Sequence, residues 1–275
     1  CYSTRLHSVL MVVFALLGPA EIYTAFFMPE SLYFFGFWGL LGLIILWNCP
    51  QRRIFWWVVG AALGFLALVK PHALFLLGPL LAYFWIQQWV YRDVPLAVFM
   101  VRICRFLIGV FAIKFGVGYL LAGDSGLTLM GGHYSSFAQD SVAQSNHLFR
   151  VTKDSLKSAV VHIGVLAVFL GPLFAQIGLS FFRGLKRENS EGKRAVNVAL
   201  LGAILIGCMV AMTAVFTALV VGAGPFETID RVHMRYYDFV LPFLYLAYFS
   251  HTDRGSIPGV FRILVGSGML AVLGY

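Results

Sequence analysis

From Ala195 to Val221 the chain runs without a single charged side chain. Such a run exceeds the ~20 apolar residues that cross the hydrocarbon core of a bilayer. In hydrocarbon each backbone N–H and C=O must be satisfied inside the protein, which leaves a helix or a closed β-barrel. A barrel strand shows short segments of alternating polarity, whereas this run is continuously apolar. The whole chain shares the bias. Of its 275 residues 60% are hydrophobic and 12% charged, with a mean hydropathy of +0.85, against about a quarter charged in soluble domains. These features predict an all-α fold: one polytopic transmembrane helical bundle over residues 1–275.

Apolar segments recur about nine times, near 9–20, 32–47, 54–69, 73–90, 106–121, 160–182, 195–221, 239–248 and 260–273. Lys and Arg in alternate connections set the orientation, because positive loops stay in the cytoplasm. One set of connections holds twelve basic residues, from Arg5 through Arg52, Arg53, Arg102 and Arg105 to the run Arg183–Arg194 and Arg254. The other holds six: Lys70, Arg150, Lys153, Lys157, Arg231 and Arg235. The first set is placed inside, in loops near 48–53, 91–105, 183–194 and 249–259. The second is placed outside, near 21–31, 70–72, 122–159 and 222–238, together with Glu21, Glu30, Asp124, Asp140, Asp154, Glu227, Asp230 and Asp238. With the basic residues so distributed, the net charge of +8 reports topology rather than nucleic-acid binding.

Within this frame the inner segment Tyr91–Arg105 reads as an amphipathic helix lying along the cytoplasmic interface, and 183–194 as a solvated loop. The outer connection 122–159 begins as a Gly- and Ser-rich loop and ends in a juxtamembrane helix, with Leu148, Val151, Leu156 and Ala159 on one side. Its GDSGLTLMGG lacks the Lys that a phosphate-binding loop requires after the last Gly. No internal repeat is visible, so the inverted-repeat signature of many secondary transporters is missing. Cys1, Cys49, Cys104 and Cys208 form no CxxC pair and no disulfide framework. The chain starts at Cys1 and stops at Tyr275 inside an apolar run, as a fragment of a longer protein would.

Polar groups near span ends are the functional candidates, since charge at membrane depth costs several kcal/mol unless paired or hydrated. The densest group is GPFETIDRVHMRYYDFVLPF, with Arg231, His233, Arg235 and Tyr236 at the outer end of a span. On a helix Arg231 and Arg235 share a face, and two guanidinium forks match the oxygens of a lipid phosphate or diphosphate. The alternative is an Asp/Arg network that fixes the loop. Lys70 and His72, in VKPHALF, can add positive charge or can simply make a tight turn around Pro71. Glu30, in MPESLYFF, can act as a general base or can start a helix, where an acid suits the dipole. Lys114, deep in a span, is expected to face the bundle interior. No HExxH or other metal motif is present.

Three segments taken together resemble the polytopic glycosyltransferases of the GT-C type. AFFMPESLYFF is similar to their Pro-Glu pair among aromatics before a span. GFLALVKPHALFLLGPLL resembles their later hairpin, with a basic residue and Pro in a short outer turn. RVHMRYYDFVLPFLYLA resembles the Arg-Tyr and Pro pattern that opens a late span. The resemblance implies transfer of a sugar from a polyprenyl-phosphate donor to a glycan, lipid or protein acceptor on the outer membrane face. It implies an acid that deprotonates the acceptor while cations stabilise the departing phosphate. Lys70, His72, Arg231, His233, Arg235 and Tyr236 are the candidates for the donor phosphate, and Glu30 for the acid. The family's acid commonly lies in a first outer loop, and this chain has no such loop before Glu21, which leaves a main base upstream of Cys1 as the alternative to Glu30. No cofactor is required, because Arg and Lys can neutralise the leaving group; a divalent metal is left open. The membrane expected is a bacterial plasma membrane. The competing readings are a polysaccharide polymerase or ligase acting on lipid-linked glycans, a polytopic transporter or flippase, and a purely structural membrane subunit.

Overall fold

The computed structural model describes residues 29–47, 50–91, 94–128, 147–185, 190–221, 228–231, 237, 240 and 242–244. Among these the chain is helical, with no strand. It divides into two compact units, Tyr23–Arg150, and Val151–Tyr275 with Cys1–Ile22. Three helical runs are long and apolar enough to cross a membrane: Pro71–Val90, Leu96–Leu127 and Val196–Val220. Leu32–Trp47 and Arg53–Val69 are shorter apolar helices. Of the expected spans, those near 9–20 and 260–273 and most of 239–248 lie outside the described residues.

In the unit Tyr23–Arg150, helix α1 (Pro29–Gly42) runs on through a π-helical turn, Leu43–Trp47. Helix α2 (Arg53–Val69) then stops abruptly. Lys70 is extended, with φ −146° and ψ 115°, because Pro71 disfavours helical geometry in the residue before it. The Lys70 N–H still donates to Leu66 O at 2.9 Å, and the Lys70 carbonyl accepts from Ala73 N at 2.9 Å. Pro71 thereby opens the next helical segment, a 3-10 stretch Pro71–Leu76 leading into α3 (Leu77–Tyr91). Its missing N–H costs nothing at a first helical position.

Helix α4 (Leu96–Phe111) continues without a break through a π-helical stretch, Ala112–Val117, and α5, Gly118–Ala122. This corrects the reading of Tyr91–Arg105 as a separate interfacial helix. From Leu96 onward those residues form the first turns of the long run, with Phe99, Ile103, Phe106 and Val110 buried along one stripe. Arg102 and Arg105 are half-buried on it, as long side chains can be while their heads reach the interface.

Gly60 and Gly64 on α2 let its backbone lie directly on α4. A β-carbon on Gly60 would collide with Phe106 O, and one on Gly64 with Val110 O. Reciprocally, a β-carbon on Gly109 would stand 3.0 Å from Trp57 O. The pairs Gly60/Phe106, Gly64/Val110 and Leu68/Gly118 advance together along both chains, so α2 and α4 run parallel. Two spans of the same predicted direction must do so. Small residues at an i, i+4 spacing are the usual means of close helix approach where lipid removes the hydrophobic drive for association.

Aromatic rings fill one end of this unit. The Trp56 ring lies 4.8 Å from that of Phe84 and 6.5 Å from that of Phe99, and Phe84 is 5.7 Å from Phe106. The Trp56 indole donates to Pro50 O at 2.8 Å, which satisfies its one polar atom. At the other end the 3-10 turn Gly123–Leu127 folds back, with Gly126 against Gly118 O. Gly123, at φ 57°, makes that reversal, a conformation that suits glycine.

In the other unit, α6 (His147–Leu185) and α7 (Ser190–Val220) are long single helices. The expected juxtamembrane helix before the span is the first part of α6. The expected loop 183–194 is shorter than the sequence suggested, since α6 reaches Leu185 and α7 starts at Ser190. Apolar side chains such as Val168, 78% exposed, cover the outside of α6, as a lipid-facing helix requires.

Candidate functional site

Helix α6 buries one stripe at a four-residue spacing: Ser158, His162, Leu166 and Leu170. The stripe is polar toward the N-terminus of the helix and apolar toward its C-terminus. Helix α7 shows the reverse order, with Leu201, Leu205 and Met209 followed by Thr213 and Thr217. The charge count predicts one shared side, the outer one, for the start of α6 and the end of α7. Both helices bury their polar residues at those ends.

Tyr237 joins the two polar stretches. Fully buried, it places its hydroxyl 2.8 Å from His162 Nδ1 and 2.7 Å from Thr213 Oγ1. Thr213 in turn donates to Met209 O at 2.7 Å, and Thr217 to Thr213 O at 2.8 Å. Burial pushes the Tyr237 hydroxyl up to about 12, against the lowering effect of its bond with Thr213, so at neutral pH it is a neutral donor. From Tyr237 the chain passes along α7 toward its start, since a β-carbon on Gly202 would stand 3.4 Å from Phe243 Cε1. This antiparallel course is the one expected for a span following α7.

Just before Tyr237, a turn is closed by Arg231 N donating to Thr228 O at 3.2 Å. Asp230 and Arg231 are exposed there, and the Arg231 backbone also reaches the His162 imidazole. Arg231 is therefore exposed in a turn whose backbone reaches His162, six residues before the anchored Tyr237. His233, Arg235 and Tyr236 lie outside the described residues.

Among the described residues, three buried polar atoms on α6 have no hydrogen-bond partner: Ser155 Oγ, Ser158 Oγ and His162 Nε2. An unsatisfied buried group costs roughly 1–3 kcal/mol, so three on one helix face are a stability deficit that invites a functional explanation.

Lys70 and His72 sit in the other unit, at the break between α2 and α3. Lys70 Nζ stands 6.0 Å from the centre of the Tyr33 ring, within reach of a cation–π attraction. Tyr33 is one turn beyond Glu30 on α1, so the structure brings the Lys70 turn and the start of α1 to one end of that unit. Glu30 occupies the first turn of α1. His72 is half-buried, its ring 6.5 Å from that of Phe75. Lys114, 6% exposed, lies in the π-helical stretch and faces inward as its position implies. Among the described residues no group of His, Cys, Asp and Glu is arranged to hold a metal ion.

Comparisons with protein-family models, with curated proteins and with solved structures found no match.

Reasoning from sequence singled out Arg231 and its neighbours but passed over Ser158, His162 and Thr213. Their signal was present: Ser155, Ser158 and His162 recur at helical spacing where the charged stretch around Lys153, Asp154 and Lys157 leads into an apolar span. Only the fold supplies Tyr237, 75 residues away from His162 in the chain.

Proposed function

We propose that the chain is a multi-pass glycosyltransferase of a bacterial plasma membrane, moving a sugar from a polyprenyl-phosphate donor to an acceptor at the non-cytoplasmic face. The observation that carries this reading is the pinning of the Arg231 segment onto the outer ends of α6 and α7 through Tyr237, His162 and Thr213. An exposed guanidinium at a membrane surface suits a lipid phosphate, which it can meet with paired donors. Arg235, four residues on, adds a second fork, while Lys70 and His72, in the other unit, remain separate candidates for binding phosphate. The reaction is a single displacement. The acceptor hydroxyl attacks the anomeric carbon, its proton passes to a base, and the bond to the phosphate oxygen breaks with its electron pair. Cations lower the barrier by stabilising charge that develops on that oxygen.

The test incubates the full-length protein in native membranes with radiolabelled polyprenyl-phosphate sugars and compares wild type with Arg231→Ala and Arg235→Ala. Hydrogen bonds to charged groups contribute about 1.5–3 kcal/mol, so each substitution is expected to lower transfer about 10-fold or more. Because Arg231 is exposed, its replacement spares the core. Transfer at wild-type rates by both variants would remove the arginines from the reaction.

A further inference from the structure

The hydrogen-bond network around Tyr237 fixes where each proton lies. The contact of Thr213 Oγ1 with the Met209 carbonyl at 2.7 Å requires the threonine proton, because a carbonyl only accepts. Thr213 has no second proton, so its 2.7 Å contact with Tyr237 carries the tyrosine proton. With that proton committed, the 2.8 Å contact between Tyr237 and His162 carries a proton from Nδ1. A neutral imidazole protonated on Nδ1 has a bare lone pair on Nε2. Among the described residues that buried nitrogen has no hydrogen-bond partner, although the Arg231 backbone reaches the same ring. One helical turn away on the same face, Ser158 Oγ is buried and also without a partner, and Ser155 Oγ extends the row.

We infer that His162 Nε2 and Ser158 Oγ form a buried site for a hydroxyl group, in which the imidazole accepts the hydroxyl proton and the serine orients the oxygen. A hydroxyl offers one donor and two lone pairs, which matches a bare nitrogen beside a rotatable serine hydroxyl. Water and a saccharide hydroxyl share this chemistry. On the reading of the chain as a glycosyltransferase, the occupant is the acceptor alcohol. Its O–H bond breaks, the proton moves to Nε2, and the oxygen pair forms the bond to the anomeric carbon as the carbon–phosphate oxygen bond breaks. Tyr237 is then a positioning residue. It holds the proton on Nδ1 and keeps Nε2 free to act as a base.

The experiment uses the full chain in lipid nanodiscs with 15N-labelled histidine, His162 being assigned by its loss in His162→Gln. The expected spectrum shows a protonated, pyrrole-type Nδ1 and a pyridine-type Nε2. The Nε2 resonance is expected to shift when n-octyl β-D-glucoside is added as a saccharide probe, and Tyr237→Phe is expected to abolish the Nδ1 preference. A proton on Nε2, as a bond from that atom to the Arg231 backbone would require, overturns the site. An Nε2 resonance that responds to exchange of H2O for D2O but not to the probe identifies structural water and overturns the role as base. In the transfer assay His162→Gln is expected to lower the rate by at least 100-fold, on the scale of general-base catalysis, and wild-type rates in that variant overturn it. If the wild type itself transfers no sugar, the glycosyltransferase reading falls, while the spectra still decide whether the hydroxyl site exists.

Discussion

Tyr237 is fully buried and bonds to His162 on α6 and Thr213 on α7. One phenolic oxygen links a helix from the first half of its unit to one from the second, and the segment carrying Arg231 hangs from that link. Replacing Tyr237 with Phe keeps the ring and removes both bonds, leaving the buried His162 Nδ1 unsatisfied at about 1–3 kcal/mol, while Thr213 keeps its bond to Met209 O. Thermal unfolding in detergent is expected to show a clear loss of stability, and an unchanged midpoint would refute the link. The pH dependence has a definite sign. Burial holds the hydroxyl at about 12, above the ordinary 10.0, so the fold favours the protonated form. That contribution is complete below pH 10 and disappears as pH rises through about 12; Tyr237→Phe is expected to lack this alkaline loss. Tyr237 lies within GPFETIDRVHMRYYDFVLPF, but nothing in that segment gives it a role, because its partners are remote in the chain. Arg231 was legible because density of charge at a span end is a local property.

Among the helices, what the sequence revealed depended on whether the rule was local. The break at Lys70–Pro71 follows from proline geometry alone, and the turn lies where it was expected. That the helix of the expected span 106–121 already starts at Leu96 was not legible. Arg102 and Arg105 looked like the edge of a span, yet nothing in their backbone chemistry stops a helix, and the apolar stripe Phe99, Ile103, Phe106 and Val110 carries through. The Gly60–Gly64 pair was missed for a related reason: hydropathy weighs polarity and ignores side-chain size. Its consequence is measurable. Gly60→Val or Gly64→Val forces side-chain atoms into the α4 backbone, and overpacking of this kind costs about 1–3 kcal/mol or more. Either variant is expected to melt earlier or to lose monodispersity on size exclusion, whereas Gly78→Ala, which has open space around it, is expected to behave as wild type.

For the protein as a whole, composition and charge placement carry most of the argument, and the described helices agree with them in class. Three runs have the length and apolarity to cross a bilayer, and outward-facing Leu, Val and Phe side chains require an apolar surrounding. The parallel course of α2 and α4, and the antiparallel course of the segment after α7, fit alternating passage through one membrane. Sidedness underlies the rest, because a site for a lipid-linked sugar at the outer surface is meaningful only if Arg231 lies there. The direct measurement is cysteine accessibility in intact cells, with the native cysteines replaced. Single cysteines at Asp230, Ser125 and Gln51, all exposed positions, are treated with a membrane-impermeant maleimide. Asp230→Cys and Ser125→Cys are expected to react from outside, and Gln51→Cys only after the membrane is opened. Labelling of Gln51→Cys from outside with protection of Asp230→Cys would reverse the topology and contradict the account.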